Sequence, residues 1–265
     1  AAAPQGGKAQ VNADTIRYLL AMLSGEVERK EALDFLKADG INAGALDMVG
    51  PDDIVIITFS GHGWTQDQDD FYLLAADASW ADDKDLPDPE SLISSSELTM
   101  WLRKINAAEI AIVIDACHSG ASVDSGNFKP GPMGDAGLGQ LAFDKGIRIL
   151  AATQAGDVAM ENDKLRHGLL TFALAGDGEG LARTDAVLDM DADGKISLTE
   201  WMFYPTWRLP AFNEDSRLAK GDNASEESVG FAFPRRSPAL VERVQQPSLF
   251  DFGQPSPVVL KEIAP

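Results

Sequence analysis

The chain has 265 residues, 45% of them hydrophobic, enough to build a large core in one α/β domain or in a domain with an appendage. Its 42 acidic residues against 22 basic ones give a formal charge of -20, which disfavours nucleic acid and anionic membrane surfaces as partners and suits basic substrates or metal cations. A single cysteine excludes an internal disulfide and argues against structural zinc, and no apolar run approaches the roughly 18 residues needed to span a bilayer.

The opening AAAPQGGKAQ reads as linker; it has no initiator Met and no charged, apolar leader, so residue 1 is not expected to be the start of translation. Behind Asn12 and Asp14, Ile16, Leu19, Leu20 and Leu23 recur at helical spacing, and Leu33 and Leu36 continue in a second amphipathic segment. Pro51-Asp52-Asp53 then introduces IVIITF, a β-branched and aromatic run, apolar on both faces, that predicts a central strand of a parallel sheet over 54–59. FYLLAAD (71–77) reads as a strand or hairpin arm, SSSELTMWLRKI (94–105) as a serine-capped helix, EIAIVID (109–115) as a doubly buried strand, and GIRILAAT (146–153) as another of that type. Alternating strands and helices predict a mostly parallel central sheet with helices on both faces, an arrangement that collects reactive groups beyond the carboxyl ends of its strands. Residues 119–146 are rich in Gly, Ser, Asp and Pro and are expected to form a mobile or functional linker, and the Pro-rich tail from Phe233 is expected to run extended over the surface.

Two of the predicted strands end in reactive motifs. The first runs into Ser60-Gly61-His62-Gly63 and the other into Ala116-Cys117-His118-Ser119-Gly120. A thiol attacks a carbonyl as thiolate, and a nearby imidazole lowers its pKa and then protonates the leaving amine. Cys117 and His62 therefore need only meet in space, which adjacent parallel strands would achieve, and the amides of Gly63 and Cys117 could face a developing oxyanion. A lone cysteine is ordinarily a small buried hydrophobe. That reading leaves unexplained why one of three histidines sits in a Gly-His-Gly turn after a matching strand, 55 residues upstream (117 − 62).

SGHG (60–63) and DACHSG (115–120) together resemble the caspase-like cysteine peptidases, closest to the metacaspase and bacterial caspase-domain branch. FYLLAAD, HGLLTFAL (167–174) and QPSLFDFG (246–253) extend the resemblance over roughly 51–253. It implies a three-layer sandwich, Cys117 as nucleophile, His62 as general acid/base, and Gly63 and Cys117 as oxyanion donors; His118 and His167 receive no catalytic role. The family's first core strand is not evident in residues 1–12, which implies a missing N-terminal segment, a degenerate strand, or a strand supplied elsewhere, as by a partner domain. The expected division is a linker and helical segment at 1–50, a catalytic core at 51–175, and a C-terminal part of the same domain at 176–265. Caspases that cut after aspartate carry glutamine two residues before the cysteine, where this chain has Asp115. A carboxylate there pairs with a basic side chain, and the resemblance to metacaspases implies that Asp115 and Ser60 line a pocket for Arg or Lys before the scissile bond of a peptide or protein substrate, together with an upstream aspartate that is not evident in this chain. Asp115 could instead cap a strand end by accepting from backbone amides. The linker falls where caspases are processed as zymogens, and it contains Lys129 and Lys145 as self-cleavage candidates.

A second motif, Asp189 to Glu200, fits the twelve-residue EF-hand loop: carboxylates at Asp189, Asp191 and Asp193, Gly194 for the turn, the Lys195 carbonyl, Ser197, and Glu200 as bidentate last ligand. Calcium is the expected occupant, in a structural role before a regulatory one; a helix is expected to follow around 198–204, although an entering helix and a partner loop are not evident. The leading function is a cysteine endopeptidase without an organic cofactor. A catalytically silent homologue acting as a calcium-binding module and another cysteine hydrolase of small esters or amides are the alternatives. The compartment is open, with the cytoplasm favoured over secretion.

Overall fold

A computed structural model describes residues 11–38, 49–65, 71–79, 88–118, 136–152, 161–162, 167–175, 185–218, 247–253 and 258–263. Among them, α1 (Ala13–Leu23) starts at Asn12, whose side chain accepts from the Thr15 amide at 2.7 Å, and α2 (Arg29–Ala38) follows at once. Then come β1 (Ile54–Thr65), β2 (Phe71–Leu74), a short 3-10 turn (Pro89–Ser91), β3 (Leu92–Ser94) and α3 (Ser95–Lys104). The cap of α3 is Ser94, accepting from the Glu97 amide at 3.0 Å, as its sequence predicts. β4 (Glu109–His118), α4 (Ala136–Lys145) and β5 (Arg148–Ala151) complete the first half. The second half holds β6 (Glu161–Asn162), β7 (His167–Gly168), α5 (Leu169–Ala175), α6 (Asp185–Leu188), β8 (Lys195–Ser197), α7 (Leu198–Leu218), β9 (Ser248–Asp251) and β10 (Val259–Glu262).

The main sheet of the described residues runs β3-β2-β1-β4-β5-β9. Its centre, β1-β4-β5, is parallel, and antiparallel neighbours close both sides, β2 against the end of β1 and β9 against β5. β4 alternates cleanly between two buried faces. Ile112 and Ile114 join Val55, Ile149, Leu98, Leu102 and Leu141 under α1, α3 and α4, whereas Ala111 and Val113 join Leu150, Leu170, Leu174, Met202 and Leu209 under α5 and α7. Helices on both faces of this sheet make the predicted three-layer α/β sandwich.

Four local expectations change. The run IVIITF is not covered on both faces among the described residues, because Ile54 and Ile56 are 43% and 40% exposed while Val55 is buried. α4 occupies 136–145, in the second half of the expected linker, since Leu141 and Ala142 bury against α3. Lys145 therefore closes a helix, and its ammonium donates to the carbonyls of Leu102 (3.1 Å) and Ile105 (2.7 Å) at the end of α3. A peptidase takes its substrate extended, so Lys145 is a poor cut site as folded. The helix expected around 198–204 continues through Pro205 and Pro210 to Leu218, because Met202, Tyr204 and Leu209 are buried on either side of the first proline.

The buried Arg148 has no counterpart in the sequence reading. It is 1% exposed, pairs with Glu109 of β4 and with Asp251 of β9 (3.0 Å), and lies directly against Gly253. Three strands are thus pinned by charge at the end of the sheet opposite the reactive motifs.

Candidate active site

The parallel register of β1 and β4 sets the geometry of the site. Ser60 lies beside Asp115, His62 beside Cys117 and Gly63 beside His118. Neighbouring strands are about 4.8 Å apart, and the pleat puts positions two apart on the same face. Positions 60, 62, 115 and 117 therefore share one face of the sheet, the face that carries Ala111 and Val113 and receives α5. Residues 62 and 117, 55 apart in sequence (117 − 62), are register partners near the carboxyl end of the sheet.

His62 does not sit in a loop, as the Gly-His-Gly pattern suggested. β1 continues to Thr65, and β2 pairs along this extension, with His62 opposite Leu74, Gly63 opposite Leu73 and Trp64 opposite Tyr72. The main chain at His62 is consequently fixed from both sides, by β4 and by β2, while the residue remains exposed. Trp64 is buried and its ring lies 5.4 Å from that of Tyr72, so an aromatic cross-strand pair backs the hairpin. At Gly61 there is a steric reason for glycine, since a Cβ there would meet the Phe59 ring at 3.0 Å; Gly63 is buried.

Asp115 is 5% exposed. Its Oδ2 accepts from the backbone amide of Thr171 at 2.9 Å and from the Thr171 hydroxyl at 2.5 Å. Thr171 stands in the first turn of α5, where amides have no partner within the helix, so the carboxylate serves as an acceptor for the helix start. The segment 167–174 was legible as a family feature, but this partnership was not: 56 residues separate the two, and no local pattern encodes it. His167 pairs with Asn162 in a separate two-stranded ladder. Lys129 lies outside the described residues.

The acidic loop stands apart from the main sheet. α6 supplies the short entering helix that the sequence did not reveal, and α7 leaves it. In place of a second loop, β10 pairs with β8. Carboxylate oxygens of Asp189, Asp191 and Asp193 lie within 4.8 Å of one another. Gly194 has φ +81°, the left-handed conformation for which the sixth position needs glycine. Glu200 closes the loop, its Oε1 accepting from the Met190 amide at 2.8 Å and its Oε2 from the Ser197 amide and hydroxyl, each at 2.8 Å. In return the Glu200 amide donates to Ser197 Oγ at 3.2 Å, so Ser197 and Glu200 form a capping box at the start of α7. Burial pushes the Glu200 carboxyl up, but bonds from Ser197, Met190 and Asp191 prevail and hold it below its ordinary value. These oxygens are hard, anionic and convergent, which fits calcium and not a thiolate-seeking metal.

No helix among the described residues is long and apolar enough to cross a membrane. A family model described as caspase domain matches residues 8–189. That span takes in both reactive motifs and stops at the first residue of the acidic loop. No curated protein matches the chain.

Proposed function

The chain belongs to the caspase-domain family, a family of cysteine peptidases, and we propose that it is an endopeptidase cutting after arginine or lysine through Cys117 and His62. The observation that carries the proposal is the register of His62 with Cys117 on one face of the sheet. The Cys117 thiolate attacks the scissile carbonyl carbon, and the amides of Gly63 and Cys117 donate to the oxyanion. The tetrahedral adduct collapses as the C–N bond breaks, and the His62 imidazolium gives its proton to the departing amine. Water then attacks the thioester and loses a proton to His62; the acyl–sulfur bond breaks, releasing the acid and restoring the thiolate–imidazolium pair.

The basic preference rests on Asp115 and Ser60, register partners two residues before the reactive pair. A carboxylate at that position attracts a guanidinium or ammonium and repels an acidic side chain. Calcium belongs to the same proposal. Asp189, Asp191, Asp193, the Lys195 carbonyl, Ser197 and Glu200 would hold the ion, which would neutralise the clustered carboxylates and tie the start of α7 to the loop. Processing of the zymogen within the linker would then fall after Lys129, because Lys145 is engaged at the end of α3.

The test is covalent labelling with a peptide that places an electrophile after arginine. Cys117 is expected to be the labelled residue, with labelling lost in Cys117→Ala and strongly slowed in His62→Ala. Equal labelling of the His62→Ala protein would remove the dyad, and labelling by an aspartate peptide in preference to the arginine one would remove the basic pocket.

A further inference from the structure

An aspartate used to recognise a charged side chain has to be held in one orientation, or the energy of the contact is spent on fixing it. Asp115 has such a holder. Both polar groups of Thr171, its amide and its hydroxyl, converge on Oδ2 at 2.9 Å and 2.5 Å, and both donate, as a carboxylate oxygen requires.

Three features make Thr171 suited to this. A threonine hydroxyl in a helix ordinarily bonds back to the carbonyl four residues earlier, but residue 167 lies before the start of α5, in β7, and the hydroxyl is turned to Asp115 instead. Branching at Cβ leaves few side-chain rotamers in a helix, so the hydroxyl direction is narrowly set. The helix itself is anchored: Leu170, Ala173 and Leu174 are buried, and the indole Nε1 of Trp201 on α7 donates to the Leu174 carbonyl at 3.2 Å. Thr171 is therefore held by packing that does not involve the substrate.

We infer that Thr171 is a positioning residue for specificity, fixing the Asp115 carboxylate in the orientation that receives the basic side chain before the cut. This rests on the reading of Asp115 as the pocket carboxylate. Replacement by valine keeps the branch and the amide and deletes one hydrogen bond to a charged acceptor, worth about tenfold in binding.

The experiment compares peptides with arginine or its uncharged isostere citrulline before the scissile bond, with rates normalised to the Cys117 titre from iodoacetamide labelling. In Thr171→Val the arginine-to-citrulline ratio of kcat/KM is expected to fall about tenfold, chiefly through KM, while Thr171→Ser restores it. Should the valine protein not fold, Thr171→Ala carries the same expectation, since alanine deletes the hydroxyl without steric demand. A ratio within twofold of wild type in the hydroxyl-free variant overturns the positioning role and leaves the basic pocket standing. A wild-type protein that cleaves arginine and citrulline peptides equally overturns the pocket and this inference with it.

Discussion

Replacing Glu200 by glutamine separates the two duties assigned to this side chain. Without calcium, its carboxylate accepts from the amides of Met190 and Ser197 and from the Ser197 hydroxyl. Glutamine has one acceptor oxygen; it can keep the Ser197 pair, as capping boxes with Gln do, but it turns an NH₂ toward the Met190 amide. The calcium-free variant should therefore lose about 1–2 kcal/mol, the cost of one hydrogen bond left unmade. With calcium the contrast grows. An ion at a hundred times its Kd stabilises the wild type by about 2.7 kcal/mol, roughly 5–11 °C in Tm for a domain of this size. The variant lacks the bidentate ligand and should gain less than about 1 kcal/mol. The assay is thermal melting of both proteins in chelator, calcium and magnesium at matched ionic strength, because screening alone relieves part of the repulsion among three carboxylates within 4.8 Å of one another. An identical wild-type Tm in chelator and calcium would refute the site, and an unreduced calcium shift in Glu200→Gln would refute the role of that residue.

Acid titration gives a second view of the same group. The Glu200 carboxyl is held below its ordinary value of 4.5, so the stability it contributes is present above that value and is lost as pH falls through the lower folded one. Calcium-free wild type should consequently lose more stability than Glu200→Gln between about pH 5 and pH 3; parallel curves from urea denaturation would contradict this. Arg148→Met should cost about 3–5 kcal/mol, because it strands the Glu109 carboxylate, and adding Glu109→Gln should recover part of the loss; a cost below about 1 kcal/mol would mean that the buried network does not pin β4, β5 and β9. Ala192, at φ +60° in the acidic loop, should gain about 1 kcal/mol in Tm measurements when changed to glycine, and a loss would show that the loop does not hold this conformation in solution.

What the sequence made legible is what local chemistry controls. The Ser94 cap and the helical spacing behind it define α3, and the doubly apolar run 110–114 is a strand buried on both faces. The two reactive motifs were found because small residues and glycines stand out at the ends of such strands. Where the reading departed from the structure, a distant partner decided. The similar run in β1 leaves Ile54 and Ile56 exposed, since an apolar pattern does not say which layer covers it. His62 reads as a loop residue until β2 is laid beside it. Pro205 and Pro210 would end an isolated helix, yet α7 continues because Tyr204 and Leu209 are buried. Thr171 and Arg148 could not be found by spacing at all: each acquires its role from a carboxylate on β4, an element distant in sequence.

The central claim is that Cys117 performs peptide cleavage after a basic residue. A positional peptide library, digested by wild type and by Cys117→Ala in calcium and in chelator, tests it most directly. Arginine or lysine before the cut with wild type, and no cleavage by Cys117→Ala, is the predicted result. Cleavage that persists in Cys117→Ala, or a wild-type preference for aspartate before the cut, would contradict it.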